Sequence, residues 1–538
     1  MYRHHTLACA RAKAAKAGWA GAMYAWESAD TGEEATPERV RGPDGKPIEI
    51  LCGTQEQHIT ADVAYAVWQY WKATGDDGFM AAAGAEILMD TARFWASRAQ
   101  PEADGLHHIR GIIGPDEYHE HVDDNAFTNI MAAWNIFRGL DAAAWLKGHL
   151  PERWTELAGQ MGISDSGLAQ WRQVADTMAT GLDPVTGLFE QFSGYHGLKE
   201  IDLTEYSGRT VPMDVVLGRE AVQASQVIKQ ADVVALLALL PDAFGRRTAE
   251  VNFRHYEPRC GHGSSLSPAM HGLVAARLGD GGMALKHFRH TAALDLEDNN
   301  GGTAGGVRIA ALGGLWQVAM LGFAGLSLRS DGLAFDPQLP SGWESLGFRV
   351  QWRGRQIRVS IEGCGGAFEA SLERGDAMTL AVRGEAHRLR HGQVLRVPRE
   401  VVLRQTNPGA GLFTAVICAW RRRPANVRKA GPTRSAHHEP VRGILQAPRA
   451  LAAQLAGGIW SQAPITPAQP PQFVTTSPPR TSMMVHIRKH AGHGSRWTAA
   501  VSGHLSAPTY RTASPSRFRT RRRTGGHRCT PNARHAPP

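Results

Sequence analysis

Five carboxylates fall within nine residues of the stretch Gly111-Ile-Ile-Gly-Pro-Asp-Glu-Tyr-His-Glu-His-Val-Asp-Asp-Asn125: Asp116, Glu117, Glu120, Asp123 and Asp124. Like charges this close raise the pKa of some of the group. A carboxyl group that keeps its proton near neutral pH can act as a general acid. Pro115, Tyr118, His119 and Asn125 stand among the acids, and sugar hydroxyls require aromatic rings and amides beside carboxylates. A solvated acidic loop has the same charge density, so composition alone leaves both readings open.

A second stretch, Tyr256-Glu-Pro-Arg-Cys-Gly-His-Gly-Ser-Ser-Leu-Ser267, has the makings of an anion cradle. Gly261 and Gly263 would let backbone N–H groups converge, Ser264 and Ser265 add hydroxyl donors, and His262 can add a charge. A serine-rich helix cap looks the same in sequence. The spacing of a Walker loop is absent. A third stretch, Lys229-Gln230-Ala-Asp232, places ammonium, amide and carboxylate groups at a helix start. It could grip a sugar ring or cap and solvate the helix.

These stretches need a scaffold. His58–Thr74 sets Val63, Val67, Trp68 and Trp71 at helical spacing, with Gly75 and Asp76 as the stop. Gly84–Arg98 repeats the pattern, and Asp123–Phe137 and Lys229–Leu240 are further helical candidates. Between them lie polar, glycine-rich loops at 26–37, 111–121, 190–202, 256–267 and 298–308. Helices alternating with such loops predict a helical toroid over residues 1–327 whose loops build one site at one end. The periodicity then changes. Phe348, Val350 and Trp352 alternate with polar residues, Arg353-Gly354-Arg355 turns the chain, and Ile357, Val359 and Ile361 alternate again. With a further strand at Val394–Val402, this predicts a small β domain over 328–410.

Residues 401–538 hold 21 Lys/Arg and one acidic residue, Glu439, so the overall charge of +9 divides into about +20 there and about −11 in residues 1–400. The basic balance therefore belongs to a tail and does not make the body a nucleic-acid binder. Rich in Pro, Arg, Ser, Thr and His, segment 411–538 is expected to be disordered or frameshifted. Six cysteines without CxxC spacing (Cys9, Cys52, Cys260, Cys364, Cys418, Cys529) are expected to be buried or bystander thiols, not a disulfide framework, in a chain this long. With no leader-like segment and no apolar run of about 18 residues, a soluble cytoplasmic protein is expected, with no membrane partner.

The three stretches occur in an order, and within longer segments, that resemble glycoside hydrolase family 65. The segments are GAMYAWESADTGEEATP (21–37), QEQHITADVAYAVWQYW (55–71), GPDEYHEHVDDNAFTN (114–129), FEQFSGYHGL (189–198), KQADVV (229–234), HYEPRCGHGSSLS (255–267) and GGLWQVAMLGFAGL (313–326). The resemblance implies a mainly α fold: an (α/α)6 barrel, incomplete at its start, followed by a small C-terminal β-sandwich domain. It also implies an activity, the inverting phosphorolysis of an α-linked glucose disaccharide to β-glucose 1-phosphate and glucose. Glu117 would be the general acid. Trp26, Glu27, Lys229 and Gln230 would hold the sugar, and His262, Gly263, Ser264 and Ser265 the phosphate. The partners would be disaccharide and inorganic phosphate as co-substrate, with no metal or organic cofactor. Homodimers are common in the family. The first loop is closer to kojibiose- or trehalose-type members than to maltose-type ones.

The sequence also departs from the family pattern. It would begin inside the barrel, beyond the β-sandwich domain and the Trp-Asp stretch that opens other members, and Arg308 stands where members carry His. Two alternatives follow: a hydrolase on the same scaffold, with Glu257 or another carboxylate as general base, or an inactive fragment.

Overall fold

The structure, a computed structural model, describes residues 1–42, 45–296, 306–363, 366–398 and, as backbone, 484–490 and 496–502. Its first 326 residues are helix-rich. Helix α1 spans Leu7–Lys16 and the short α2 spans Cys52–Gln55. Helix α3, Ile59–Thr74, buries Ala61, Val63, Ala64, Val67 and Trp68, the face read from spacing. Gly75 ends it in the left-handed region at φ 64°, its N–H bonded to the Trp71 carbonyl at 2.7 Å, because a residue without a Cβ reaches that conformation at little cost. Helix α4, Ala85–Arg98, is entered through a π turn at Met80–Gly84.

Helix α5 runs Ala126–His149, later and longer than the expected Asp123–Phe137. Asn125 caps it, its Oδ1 accepting from Thr128 N at 3.0 Å, and Asp124 stands outside at φ 51°. The acids before Asn125 thus remain in the loop. Its first half is buried on all sides from Ala126 to Gly139, so α5 is the central post of the body. A Cβ on Gly139 would lie 2.5 Å from Ala92 Cβ, which shows how closely α4 and α5 cross. Helix α6, Asp232–Leu239, starts three residues after the expected Lys229, because Lys229 N and the Gln230 side-chain amide are hydrogen-bonded to the acidic loop. Helices α7 (Arg246–Tyr256), α8 (Ser267–Leu278), α9 (Gly281–Ala293) and α10 (Ile309–Gln317) follow, and between α5 and α6 the chain forms further helices, among them Pro151–Met161 and Asp165–Asp176.

Two sheets follow. Strands β1 (Ser327–Leu328), β2 (Leu333–Phe335), β6 (Met378–Val382) and β7 (Glu385–Leu389) form one, in the order β7-β6-β2-β1. The other contains β3 (Ser345–Trp352), β4 (Arg355–Glu362), β5 (Phe368–Arg374) and β8 (Val394–Val397). Phe335 joins the two, with ring centroids 5.0 Å from Phe368 and 6.4 Å from Phe348. The β3–β4 hairpin is the one expected: Trp352 pairs with Arg355, and Arg353 and Gly354 turn at φ 45° and 77°, the double positive φ of a tight two-residue hairpin. The Arg353 N–H bonds to Ala73 O at 3.0 Å, and Trp343 packs on Phe288 and Phe323, so the sheets dock on the helical body. Helix-rich body and C-terminal sheet domain appear in the predicted order.

One expectation is corrected. Within 411–538, read as disordered or frameshifted, Met484–His490 (β9) and Arg496–Ser502 (β10) are strands. They pair antiparallel with each other, and β10 joins β3 in parallel. Backbone hydrogen bonding to an open edge does not require the apolar pattern on which that reading relied. The rest of that segment lies outside the described residues, as do residues 399–402 of the expected last strand and 298–305 of the last loop. No helix among the described residues is long and apolar enough to cross a membrane.

Candidate active site

The five clustered acids separate sharply by their partners. Glu120 pairs with Arg219, Asp124 with Arg110 at 2.6 Å and His108 at 2.9 Å, and Asp123 accepts from Gly111 N at 2.9 Å. Asp116 is buried and central. Its oxygens accept from Lys229 N at 2.7 Å, His119 Nδ1 at 2.6 Å, Gln191 Nε2 at 3.2 Å and Tyr118 N at 3.3 Å. His119 donates its other nitrogen to Ser225 O at 2.8 Å. Burial works against its charge, but Asp116 outweighs that and raises its pKa.

Among the described residues, Glu117 alone of the five meets a lysine ammonium: its Oε1 lies 2.8 Å from Lys229 Nζ, with about a quarter of its side chain exposed. Its pKa is raised, first by burial. The Lys229 ammonium opposes the shift, and the charges of Glu56 and Asp116 add to it. Crowding within the acidic loop is therefore the lesser cause. The like charge from outside that loop, Glu56, follows α2, and the ligand-capable atoms of Cys52, Glu56 and Glu117 lie within 4.8 Å of one another. Glu56 is buried, and among the described residues its Oε1 has no hydrogen-bond partner. His58 stands 3.4 Å from its other oxygen and 2.9 Å from Asp62. Burial disfavours the charged imidazole, but these two acids push the His58 pKa up to about 10.

The structure brings the Lys229 stretch and the 256–267 loop to the same place. The Gly261 N–H donates to Ile228 O at 2.7 Å and the Gly263 N–H to Lys229 O at 3.0 Å. A Cβ on Gly263 would lie 3.0 Å from Tyr118 Oη and 3.2 Å from Lys229 Cγ. Glu117, Lys229 and the glycine loop are thus consecutive neighbours. The same bonds correct the expected cradle: the two glycine N–H groups are engaged by backbone carbonyls and do not converge on open space. His262 is also not the charge expected there. Its Nδ1 faces Ser267 Oγ at 2.8 Å, and burial, reinforced by His271, holds its pKa well below the ordinary value. Of the groups expected to hold an anion, Ser264 and Ser265 remain, half-buried in the turn before α8, where a helix dipole favours an anion.

Gln230 donates its amide to Pro115 O at 2.5 Å, and Asp232 is fully buried. Asp232 accepts from Asp116 N at 2.7 Å and Asn125 Nδ2 at 2.6 Å, and burial, then Asp116, raises its pKa. The stretch is therefore partly a brace for the acidic loop. Gly114 is its tightest point: a Cβ there would lie 2.3 Å from Asp232 Oδ2 and 2.5 Å from Asn125 Nδ2. Gly114→Ala is expected to destabilise the chain by about 1–3 kcal/mol, read as a lower denaturation midpoint with unchanged slope.

Trp26 is half-buried and Glu27 exposed. Their N–H groups donate to the Glu34 carboxylate at 2.9 and 3.0 Å. Glu34 lies against Gly53, 3.3 Å from where its Cβ would be, which sets this loop beside α2. Arg308 pairs with Asp295 at 3.0 Å. Glu56 and Lys229's contact with Glu117 were not singled out by sequence, and Asp116 was named there only as one of the five clustered acids. An EQH triplet directly before a helix was the available signal for Glu56.

Residues 1–317 match the family model "Glycosyl hydrolase family 65 central catalytic domain", and residues 326–389 match "Glycosyl hydrolase family 65, C-terminal domain". A kojibiose phosphorylase of Halothermothrix orenii is 42% identical over 364 residues, 67% of this chain and 46% of that protein. An alpha,alpha-trehalose phosphorylase of Thermoanaerobacter brockii is 32% identical over 363 residues, 67% of this chain and 45% of that one. A solved structure titled as a putative kojibiose phosphorylase from human microbiome superposes with a TM-score of 0.65 at 25% identity, covering 74% of this chain and 56% of that chain. The chain spans less than half the length of these two curated relatives. With its catalytic-domain match running through Glu117, Lys229 and the glycine loop, the chain belongs to glycosyl hydrolase family 65.

Proposed function

We propose that this chain carries the catalytic machinery of an inverting disaccharide phosphorylase, with kojibiose as the first substrate to test. The observation that carries the reading is the run of neighbours Glu117–Lys229–Gly263, which sets a carboxyl group of raised pKa beside a loop ending in Ser264, Ser265 and the start of α8. Glu117 gives its proton to the glycosidic oxygen as the bond to the anomeric carbon breaks. Phosphate, held by Ser264 and Ser265, attacks that carbon from the opposite face, so an α-glucoside yields β-glucose 1-phosphate and a free sugar. The nucleophile is already an anion, and no second carboxylate is needed to activate it. Trp26 and Glu27 line the sugar side, and Lys229 holds Glu117 in place.

The hydrolase reading names Glu257, or another carboxylate, as the base. Burial favours the neutral form of Glu257, but hydrogen bonds from His271 and His287 outweigh this and hold its pKa well below the ordinary value. A carboxylate so enclosed and so acidic is poorly suited to take a proton from water.

Incubating the chain with kojibiose, trehalose or maltose, with and without inorganic phosphate, decides the matter. Phosphate-dependent formation of β-glucose 1-phosphate, followed by NMR, is expected. Equal glucose release without phosphate would establish the hydrolase, and no turnover of any of the three would establish the inactive fragment. A pH prediction follows from Lys229. The acid works only while protonated, so activity falls as pH rises through its pKa. Lys229→Met removes the cation that holds this pKa down, so the alkaline fall in kcat/KM should move to higher pH.

A further inference from the structure

Behind the phosphate loop lies a second group of side chains that the proposed chemistry does not use. Glu257, His262, His271 and His287 offer one ligand atom each, and the four atoms lie within 4.8 Å of one another. Glu257 comes from the turn after α7, His262 from the loop, His271 from α8 and His287 from α9. The three imidazole rings surround the carboxylate, with centroids 4.7 Å (His262–His271), 5.0 Å (His262–His287) and 5.6 Å (His271–His287) apart. Glu257 Oε1 is 3.2 Å from His287 Nε2, Oε2 is 3.7 Å from His262 Nε2, and His271 Nδ1 bonds to Oε2.

From these residues we infer that the chain holds a divalent transition metal, zinc by preference, bound by Glu257, His262, His271 and His287. The donor set is the first argument. Three imidazoles and one carboxylate suit zinc and its neighbours in the transition series, whereas magnesium and calcium take oxygen. Tetrahedral bonds of about 2.0–2.1 Å place donors roughly 3.3 Å apart, so these side chains need only draw together by rotamer-scale movements.

Orientation is the second argument. Ser267 Oγ meets His262 Nδ1 at 2.8 Å and turns Nε2 toward the cluster, as outer hydrogen bonds do for metal-bound imidazoles. His271 and His287 are 1% exposed, and among the described residues His271 Nε2 and His287 Nδ1 have no hydrogen-bond partner. No described group outside the cluster therefore fixes which nitrogen of either ring carries the proton, and the inward nitrogens can be the bare ones. Close packing delivers His287: a Cβ on Gly272 of α8 would already lie 3.2 Å from His287 Cβ. Four protein ligands close the site, so the ion is structural. It ties the phosphate loop to α8 and α9 and stands apart from the proton transfer assigned to Glu117.

The test uses the full chain, stripped with chelator and loaded with Zn²⁺ or, as a spectroscopic probe, Co²⁺. One ion per chain is expected to survive gel filtration, with visible d–d bands of tetrahedral intensity and a higher melting temperature than the stripped protein. His287→Gln should weaken binding at least about tenfold and remove the Co²⁺ bands, with far-ultraviolet circular dichroism confirming that the variant is folded. Cys52→Ser should leave both unchanged. Failure of the wild-type chain to retain an ion overturns the inference. So does a His287→Gln protein that retains it equally, because the ion would then reside on other histidines. A signal lost in Cys52→Ser and kept in His287→Gln would place the ion at the Cys52–Glu56–Glu117 group and equally overturn it.

Discussion

Glu117→Gln should lower turnover of a natural disaccharide by about 10²–10⁴-fold and leave its binding nearly unchanged. Glutamine fills the same volume and can still meet Lys229 Nζ, now 2.8 Å from Glu117 Oε1, but it has no proton to give. The loss should fall on kcat with KM little moved, which marks an interaction made in the transition state. A substrate whose leaving group needs no proton, such as α-glucosyl fluoride, should recover most of the rate. That recovery separates a missing acid from a damaged fold. A variant that keeps more than about a tenth of the wild-type rate would show that another group donates the proton.

Asp116→Ala should cost about 3–5 kcal/mol of stability, the range for removing one partner of a buried ion pair. Asp116 is 2% exposed and accepts from Lys229 N, His119 Nδ1, Gln191 Nε2 and Tyr118 N. Alanine leaves those donors in the interior without an acceptor and His119 without its counter-charge. Urea unfolding followed by tryptophan fluorescence would measure the loss; a change below about 1 kcal/mol would mean that water replaces the carboxylate. The effect has a pH signature. The His119 pKa is raised in the fold, so the stability it contributes is complete below the ordinary histidine value and fades as pH rises through the raised one. The difference between wild type and Asp116→Ala should therefore narrow on the alkaline side. Activity should fall as well, because the bond from Lys229 N to Asp116 sets the backbone from which Lys229 reaches Glu117.

The periodic elements were legible because their causes are local. Val63, Val67 and Trp68 share a face of α3 by spacing alone, Gly75 stops that helix by lacking a Cβ, and Arg353-Gly354 makes a hairpin because its residues tolerate the turn. Boundaries set by distant partners were not. The start of α6 moved three residues because Lys229 N bonds to an aspartate 113 positions away. The cradle was misread for a similar reason. Gly261 and Gly263 permit converging N–H groups, but Ile228 and Lys229 supply carbonyls that take them. The edge of β3 gave 484–490 and 496–502 a place that their own composition did not announce.

The linear order of residues was enough to determine the family, the helix-then-sheet succession and the short list of acids from which a proton donor would come. Folding chose among those acids. Glu120, Asp123 and Asp124 were matched with cations or N–H groups, Asp116 became a buried acceptor, and Glu117 was left beside Lys229 and Glu56. Folding also gathered Glu257, His262, His271 and His287 from four segments. Desolvation and charge act through space over a few ångströms, and the chain brings to that range residues separated by up to more than a hundred positions, so the proton's address is a property of the packed molecule.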